Sequence, residues 1–277
     1  MPTDADVRYG EHERHVLDFW QAPSPGVTPA VVVIHGGGWT GGSKERMERF
    51  VNARKLLAAE ISVIAINYRL LEHARDVEPP VKAPMHDAAR ALQFVRSRAD
   101  AWNIDPKRIG LAGGSAGACT SLWLAFHHDM ADSASDDPVT RLSTRVSCAA
   151  VCGPQTSLDP LQMREWIPNI QYGGHAFGKE SFDRCLRDRE HLLPWIRAYS
   201  PYALASEGDP PIYMRFNRPP ALGEEQPDAT HSTNFGLALQ QRCRELNIHC
   251  ELVYSGAPDV THESPTDFLI ANLSSSA

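Results

Sequence analysis

Six short apolar runs alternate with longer stretches of helical character along most of the chain. The runs lie at 30–34, 61–66, 108–112, 146–152, 212–216 and 249–254. The helical stretches cover 44–60, 85–102, 116–128, 233–246 and 265–273. Apolar runs of this length are typical of strands buried on both faces. The alternation therefore predicts an α/β fold, a mostly parallel, doubly covered sheet in a single domain over 1–277, with right-handed crossovers.

Residues 154–207 break the alternation and are rich in Trp, Tyr, Pro and Gly. On a sheet scaffold, such a segment is typical of an insertion that covers the binding crevice. We therefore expect a cap-like insertion at about 154–200. Its aromatic residues either stack on a sugar or aromatic acyl group of a substrate or pack within the insertion; they are Trp166, Tyr172, Phe177 and Trp195.

Composition limits the classes of partner. The net charge of −7 gives no basic footprint, so no nucleic-acid partner is expected. No apolar stretch approaches the roughly 20 residues that span a bilayer, and the first residues lack the apolar core of a signal peptide. We expect a soluble, cytoplasmic protein, with export through a trimmed signal left open. The six cysteines form no C-x-x-C pair, which favours buried free thiols; the oligomeric state is left open.

A nucleophile motif lies in "RIGLAGGSAGACTSLWLAF" (108–126), where an apolar run leads into G-x-S-x-G and then into a helix. A sharp strand-to-helix turn of this kind exposes the serine and requires small flanking residues. Ser115 is therefore the candidate nucleophile, with Gly113 and Gly117 as supporting residues. The alternative is a glycine-rich turn whose serine caps the helix.

A second glycine cluster follows an earlier strand, in "VVVIHGGGW" (31–39). Acyl transfer creates an anionic oxygen, and preorganised N–H groups stabilise it. The N–H groups of Gly37 and Gly38, joined by that of Ala116, are the expected oxyanion-hole donors. His35 and Trp39 are then supporting residues. A phosphate cradle is the rival interpretation, but no G-K-[ST] or G-x-G-x-x-G pattern opens a helix here.

With both motifs in place, the chain resembles the α/β-hydrolase superfamily, in its HGGG-bearing esterase/lipase branch. That branch includes hormone-sensitive-lipase-like esterases and the acetylxylan and feruloyl esterase-like hydrolases. Further stretches are similar to the family: "HVLDFWQAP" (15–23), "IAINYRL" (64–70), "APMHDAARALQFVR" (83–96) and "YSPYALASEGDPPIYMRF" (199–216). The resemblance implies the α/β-hydrolase fold over nearly the whole chain except 154–198.

The resemblance also implies a catalytic base and acid, because the family orders its triad as Ser, then Asp or Glu, then His. His262 follows the last strand, where the family places its base; a histidine that caps the final helix is the alternative. For the acid, Asp228 is favoured over Glu224 and Glu225 in the same loop. His231 is then expected to line the pocket rim or cap the following helix.

These residues together predict a serine carboxylic-ester hydrolase that acts on short-chain acyl esters, carbohydrate acetyl or feruloyl esters among them. An acyl-enzyme is the expected intermediate, with no cofactor and no metal. Residues 35–39 are also similar to the H-G-G-x-W pattern of kynurenine formamidase-like enzymes, which makes an amide hydrolase one alternative. A catalytically silent hydrolase-fold binding protein is another. A metal site is conceivable at three adjacent residues, His127, His128 and Asp129, but the interpretation as a solvated helix end is favoured.

Overall fold

The structure, a computed structural model, describes residues 1–274 and contains an eight-stranded sheet in the order β1-β2-β4-β3-β5-β6-β7-β8. β1 pairs with β2, and β2 pairs with β4, in antiparallel orientation. The other neighbours in this order, from β4 through β3 to β8, pair in parallel. The strands are β1 (Asp4–Arg8), β2 (Val16–Trp20), β3 (Thr28–Ile34), β4 (Ser62–Ile66), β5 (Ile104–Gly114), β6 (Cys148–Cys152), β7 (Ile212–Arg215) and β8 (Cys250–Val253).

Ten α-helices and three 3₁₀ turns occur in the described part of the chain. The helices are α1 (Ala53–Ala58), α2 (Lys82–Ser97), α3 (Ala99–Trp102), α4 (Ala116–Phe126), α5 (Pro160–Trp166), α6 (Phe182–Arg187), α7 (Arg189–Tyr199), α8 (Pro201–Leu204), α9 (Thr233–Glu245) and α10 (Pro265–Ser274). The 3₁₀ turns are Lys44–Arg49, Leu71–His73 and Gly174–Phe177.

Helices cover both faces of the sheet, as the continuous apolar strands require. Along β3, Val32 and Ile34 belong to a buried cluster shared with α2, α4 and α9. Val31 and Val33 point to the other face and join a cluster with α1 and α10. Because successive side chains of a strand alternate between faces, each central strand contributes to two cores. The predicted mostly parallel, doubly covered sheet is confirmed.

Several element boundaries differ from the sequence predictions. β1 was not predicted, and the helix expected over 44–60 is divided into a 3₁₀ turn and α1. The division has a local cause: Asn52 begins a new helix by accepting a hydrogen bond from the Lys55 N–H (3.0 Å), as N-cap asparagines do. The helix expected over 85–102 is likewise divided at Arg98 into α2 and α3.

The segment between β6 and β7 holds α5 to α8 and the 3₁₀ turn at Gly174–Phe177. Its apolar side chains, Ile167, Ile170 and Phe177 among them, are buried in the same cluster as the face of the sheet that α2 and α4 cover. The segment therefore packs onto the sheet body through an apolar interface. None of the helices within residues 1–274 combines the length and apolar character needed to cross a membrane.

A buried ion-pair network fastens α2 to the loops beside it. The Asp87 carboxylate on α2 is 3% exposed; it accepts hydrogen bonds from the Arg69 guanidinium (2.7 Å) and lies 2.9 Å from Nε2 of His15. Burial alone would raise the pKa of Asp87, but these hydrogen bonds hold it below the ordinary value. One buried carboxylate therefore joins α2 to the segments that carry His15 and Arg69.

We expect Asp87→Asn to lower the free energy of unfolding by about 3 kcal/mol, because it removes a buried carboxylate and leaves the partly buried Arg69 guanidinium without its counter-charge. Urea denaturation measures the change. Glu245→Gln is the matched control: its carboxylate pairs with Arg242 at the exposed surface, where a loss of less than about 1 kcal/mol is expected. Equal losses in the two variants would contradict the structural role of Asp87.

Candidate active site

Ser115 lies in the turn that joins β5 to α4, at the carboxyl edge of the sheet. Its backbone has φ 53° and ψ −121°, a conformation that costs about 1–3 kcal/mol for a residue with a side chain. The Ser115 N–H donates to the Cys152 carbonyl at the end of β6 (2.9 Å), so the neighbouring strand holds the turn in place. This is the strained strand-to-helix turn that the G-x-S-x-G pattern predicts.

The glycines on either side of Ser115 are required by close backbone packing. A Cβ added at Gly113 would lie 2.6 Å from the carbonyl oxygen of Ile34, and one at Gly117 would overlap that same oxygen. A backbone carbonyl in a strand cannot move aside as the end of a flexible side chain can. Both positions therefore admit only glycine, because the turn packs directly on the end of β3.

His231 and Asp228 complete a hydrogen-bonded chain that begins at Ser115. The Oγ atom of Ser115 lies 3.0 Å from Nε2 of His231. The other ring nitrogen, Nδ1, lies 3.0 Å from Oδ2 of Asp228. Because a carboxylate only accepts, Nδ1 carries the proton and Nε2 accepts from the serine hydroxyl. The order serine, histidine, carboxylate matches the hydrogen-bonded arrangement that serine hydrolases use.

The acid–base loop, residues 226–232, connects β7 to α9 and is fastened by the segment between β6 and β7. Asn169 and Gln226 exchange two hydrogen bonds, of 2.9 and 3.0 Å. Nε2 of Gln155 donates to the Thr230 carbonyl (2.6 Å). The insertion therefore positions the loop that carries the acid and the base.

The expectation that His262 contacts Ser115 is wrong, since His231 makes that contact. Nδ1 of His262 instead lies 2.9 Å from Oε1 of Glu251 on β8, a carboxylate that also pairs with His249. The edge of the His262 ring packs on Phe268 of α10. A largely buried carboxylate thus holds His262 beside the last strand and away from the serine.

Asp228 is brought to the site as expected, but its partner is the histidine expected at the pocket rim. The alternatives Glu224 and Glu225 are exposed, and no contact within residues 1–274 joins either carboxylate to His231. The signal that sequence reasoning passed over is the spacing of Asp228 and His231. The two residues are three positions apart in one short loop, which allows their side chains to form a hydrogen bond.

Two of the expected oxyanion donors are placed near the serine, since Ala116 follows it in the chain and Gly37 lines the same cavity. Gly37 and Gly38 have φ values of 117° and 62°, which only glycine adopts without strain. The N–H groups of Gly37, Gly38 and Ala116 have no acceptor among residues 1–274. The loop approaches the turn closely, because a Cβ on Gly36 would lie 3.2 Å from Cβ of Ser115. The unused donors of Gly37 and Ala116 therefore lie close to Ser115, and that of Gly38 follows in the same loop.

His35 supports this loop as a neutral side chain. Its ring is 1% exposed and stacks on Tyr68, with ring centroids 4.1 Å apart. Nδ1 donates to the Gly36 carbonyl (2.8 Å), and Nε2 faces the Arg14 guanidinium (3.4 Å). Burial lowers the pKa of His35 to about 4, although the bond to Gly36 opposes the shift. The ring is therefore uncharged at neutral pH and takes no part in proton transfer to Ser115.

Trp39 anchors the far end of the loop. Its ring is fully buried, and its Nε1 atom donates to Oγ1 of Thr120 on α4 (3.0 Å). Trp39 itself has φ 56°, so the chain turns sharply here and the ring enters the core. The side chain supports the loop and does not reach the substrate space.

The cavity in front of Ser115 has a volume of about 530 Å³. Its wall contains the serine, His231 and Asp228, the glycine loop, the ring of Phe50 and three arginines, Arg46, Arg49 and Arg215. A cavity of this size suits a small organic ligand. None of the four aromatic residues considered from the sequence lines it. Trp166 and Phe177 instead pack against Tyr202 and Trp195.

One group of potential metal ligands is found among residues 1–274, consisting of His12, Glu13 and His73. Nδ1 of His12 and Nδ1 of His73 each accept a backbone N–H, and none of the three residues lines the Ser115 cavity. His127 and Asp129 also make local bonds, to the His128 carbonyl and to the Ala131 N–H. No metal-ligand group is therefore joined to the serine site.

The chain matches the BD-FAE family model over residues 17–216, which is most of its length. It belongs to the BD-FAE family. A probable carboxylic ester hydrolase of Mycobacterium tuberculosis, LipM, is 36% identical over 133 residues, covering 44% of this chain and 28% of LipM. Carboxylesterase NlhH of the same species is 35% identical over 97 residues, covering 35% of this chain and 28% of NlhH. The match to this BD-FAE chain thus spans less than a third of each relative.

Solved structures show the same fold. A thermophilic esterase from Thermogutta terrifontis has a TM-score of 0.63 at 22% identity, covering 90% of this chain and 79% of that one. An acetyl ester-xyloside bifunctional hydrolase from Caldicellulosiruptor lactoaceticus has a TM-score of 0.62 at 23% identity, with coverages of 86% and 77%. The α/β-hydrolase fold implied by the sequence resemblance is confirmed.

The neutral state of His35 predicts a pH dependence of stability. Because its folded pKa lies below the unfolded value, the unfolded chain binds more protons, and stability falls as pH decreases from about 6.5 to about 4. His35→Asn keeps an amide donor for the Gly36 carbonyl and removes the titration. We expect the loss between pH 7 and pH 4.5 to be smaller in the variant by about 2 kcal/mol.

Urea denaturation at pH 7 and at pH 4.5 measures this difference. His86, whose pKa burial also lowers to about 4, remains in both proteins, so its contribution cancels in the comparison. Parallel pH profiles for the two proteins would contradict a neutral, buried His35.

Proposed function

We propose that this BD-FAE family member is a serine carboxylic-ester hydrolase. The observation that carries the proposal is the hydrogen-bonded chain from Ser115 through His231 to Asp228. A serine hydroxyl is a weak nucleophile until a base takes its proton, and a neutral imidazole that accepts at Nε2 is suited to do so. The names of the curated relatives, an ester hydrolase and a carboxylesterase, agree with this chemistry.

In the proposed reaction, His231 takes the Ser115 proton as Oγ attacks the ester carbonyl. The imidazolium that forms is stabilised by Asp228, which receives the Nδ1 proton in a hydrogen bond but does not remove it. The protonated ring then gives its Nε2 proton to the departing alcohol. Water, deprotonated by the same nitrogen, attacks the acyl-enzyme and releases the acid. No cofactor or metal enters this proposal.

The anionic oxygen of each tetrahedral intermediate is assigned to the N–H groups of Gly37, Gly38 and Ala116. These donors are already oriented and carry no competing internal bond among residues 1–274. A single donor of this kind is worth about 3–4 kcal/mol of transition-state stabilisation. A silent binding protein has no need for unpaired loop N–H groups together with a strained serine that contacts a histidine, which disfavours that alternative.

Short-chain acyl esters are the proposed substrates, because a cavity of about 530 Å³ suits a small organic ligand. Carbohydrate acetyl esters remain within this class, and the Caldicellulosiruptor enzyme with the same fold is described as an acetyl ester-xyloside hydrolase. We propose that the insertion at about 154–200 caps the site within a single 1–277 domain. Nε2 of His175 in this insertion lies 3.1 Å from the Gly38 carbonyl.

Ser115→Ala is expected to lower kcat/KM for 4-nitrophenyl acetate by at least about 10⁴-fold, because no other group can form the acyl-enzyme. A fluorophosphonate probe should label the wild type and leave the variant unlabelled. Circular dichroism checks that the fold is kept. Hydrolysis that survives the substitution would reject the nucleophile, and an unlabelled wild type would favour the silent alternative. N-formylkynurenine, tested beside the ester, separates the formamidase alternative.

The identity of the base gives a second test, with two histidines as a matched pair. His231→Gln should lower kcat by about 10³-fold or more, since the serine loses its proton acceptor. His262→Gln should leave kcat/KM within about threefold of the wild type, because its ring pairs with Glu251 and does not contact the serine. A large loss in His262→Gln with an active His231→Gln would reverse the assignment.

A further inference from the structure

Three arginines border the serine cavity and have no partners. Arg46, Arg49 and Arg215 all line it, and no hydrogen bond or ion pair joins their guanidinium groups to any residue within 1–274. Other arginines of the chain are engaged in structure: Arg69 and Arg189 each bind a buried carboxylate through two nitrogens. Three guanidinium groups around one cavity are therefore free to bind a ligand.

The backbone directs two of these side chains to the same side. Arg46 and Arg49 lie in the 3₁₀ turn Lys44–Arg49, and residues three apart in a 3₁₀ helix eclipse each other. Buried Lys44 fixes the start of this turn, because its ammonium group contacts Asp18 (2.8 Å) and its N–H donates to Asn67 (2.7 Å). The two arginines are thus presented to the cavity by an anchored element.

Arg215 reaches the cavity from another part of the sheet. It is the last residue of β7, and its carbonyl accepts the Gly153 N–H (2.8 Å). The strand end is therefore held next to Cys152, whose carbonyl in turn fixes the Ser115 turn. The charge of Arg215 also acts on the Cys152 thiol: burial raises the pKa of that thiol to about 11, and the guanidinium opposes the shift.

The cavity lining carries more positive than negative charge, although the net charge of the whole chain is −7. The only carboxylate in the cavity lining is that of Asp228, and both its oxygens face the His231 ring. A second cavity of about 300 Å³ shares Arg49, Phe50 and Arg215 with the first. Its one acidic lining residue is Glu48, so the two spaces meet at a cationic boundary.

We propose that the preferred substrates are esters that carry an anionic group, a carboxylate or a sulfate, which Arg46, Arg49 and Arg215 bind while the ester carbonyl lies at Ser115. The inference rests on the proposed function and narrows its substrate class. Arginine suits this role because its planar fork binds carboxylates and sulfates through two parallel N–H donors. A cavity lined with positive charge also raises the encounter rate of anions.

Matched ester pairs test the preference on both sides of the scissile bond. For the acyl side, mono-4-nitrophenyl glutarate is compared with 4-nitrophenyl valerate. For the alcohol side, 3-acetoxybenzoate and 3-acetoxybenzenesulfonate are compared with 3-acetoxybenzamide. Each kcat/KM is divided by the hydroxide-catalysed rate of the same ester, which removes differences in intrinsic reactivity. In at least one set, the anionic ester should be favoured about 10-fold or more, and 0.5 M NaCl should reduce that preference.

Single Arg→Gln variants then assign the preference. Each of three variants should lower the anionic-to-neutral ratio of kcat/KM by about fivefold: Arg46→Gln, Arg49→Gln and Arg215→Gln. This value corresponds to the loss of an ion pair that is partly shielded from water. Arg197→Gln is the matched control: it is exposed on α7, without a partner among residues 1–274, and lines neither cavity. Its ratio should equal that of the wild type.

A readout without catalysis separates the two proposals. In Ser115→Ala, calorimetry should show tighter binding of 3-hydroxybenzoate than of 3-hydroxybenzamide, and Arg215→Gln in that background should reduce the difference. Serine-dependent hydrolysis of neutral and anionic esters at equal corrected rates would overturn the inference and leave the hydrolase intact. Selective anion binding without hydrolysis of any ester would overturn the proposed function and not the cationic binding site.

Discussion

Gly36 passes so close to the turn after β5 that no side chain fits between them. A Cβ there would lie 2.5 Å from the Gly114 carbonyl oxygen, and Gly113 and Gly117 pack just as closely on the end of β3. Since β3 and β5 are adjacent parallel strands, their carboxyl ends meet at one edge of the sheet. Backbone contact therefore fixes the serine relative to the oxyanion donors, with the precision that preorganised catalysis requires.

The acid and base depend on a different kind of support. Their loop follows β7, and side chains from the insertion, Gln155 and Asn169, hold it by hydrogen bonds to Thr230 and Gln226. The same insertion reaches the Gly38 carbonyl through His175. One segment thus contacts both the loop that carries Asp228 and His231 and the glycine loop after β3, although none of its residues lines the cavity.

The limits of sequence reasoning follow from the range of these contacts. Ser115 and its glycines could be predicted because the constraint is local: a strand, a tight turn and a helix appear in order in the sequence. His231 could not be separated from His262 by pattern, because both follow a strand in polar loops. Tertiary contacts distinguish the two histidines: Glu251 holds the His262 ring, and hydrogen bonds from the insertion position the loop that carries His231. The position of Arg46, Arg49 and Arg215 around one cavity also could not be predicted, since about 170 residues separate Arg46 from Arg215.

The short spacing of Asp228 and His231 has a mechanical consequence. Their mutual distance is fixed within four residues of one loop, so it is insensitive to movements elsewhere in the fold. The 3.0 Å contact between His231 and Ser115 instead depends on how that loop sits against the sheet, and hence on its bonds to Gln155 and Asn169. Displacement of the insertion would carry the acid and base away from the serine together. His231 and Asp228 would stay paired, but Oγ of Ser115 would lose its contact with Nε2 of His231. Under the proposed mechanism, activity therefore depends on the packing of the insertion.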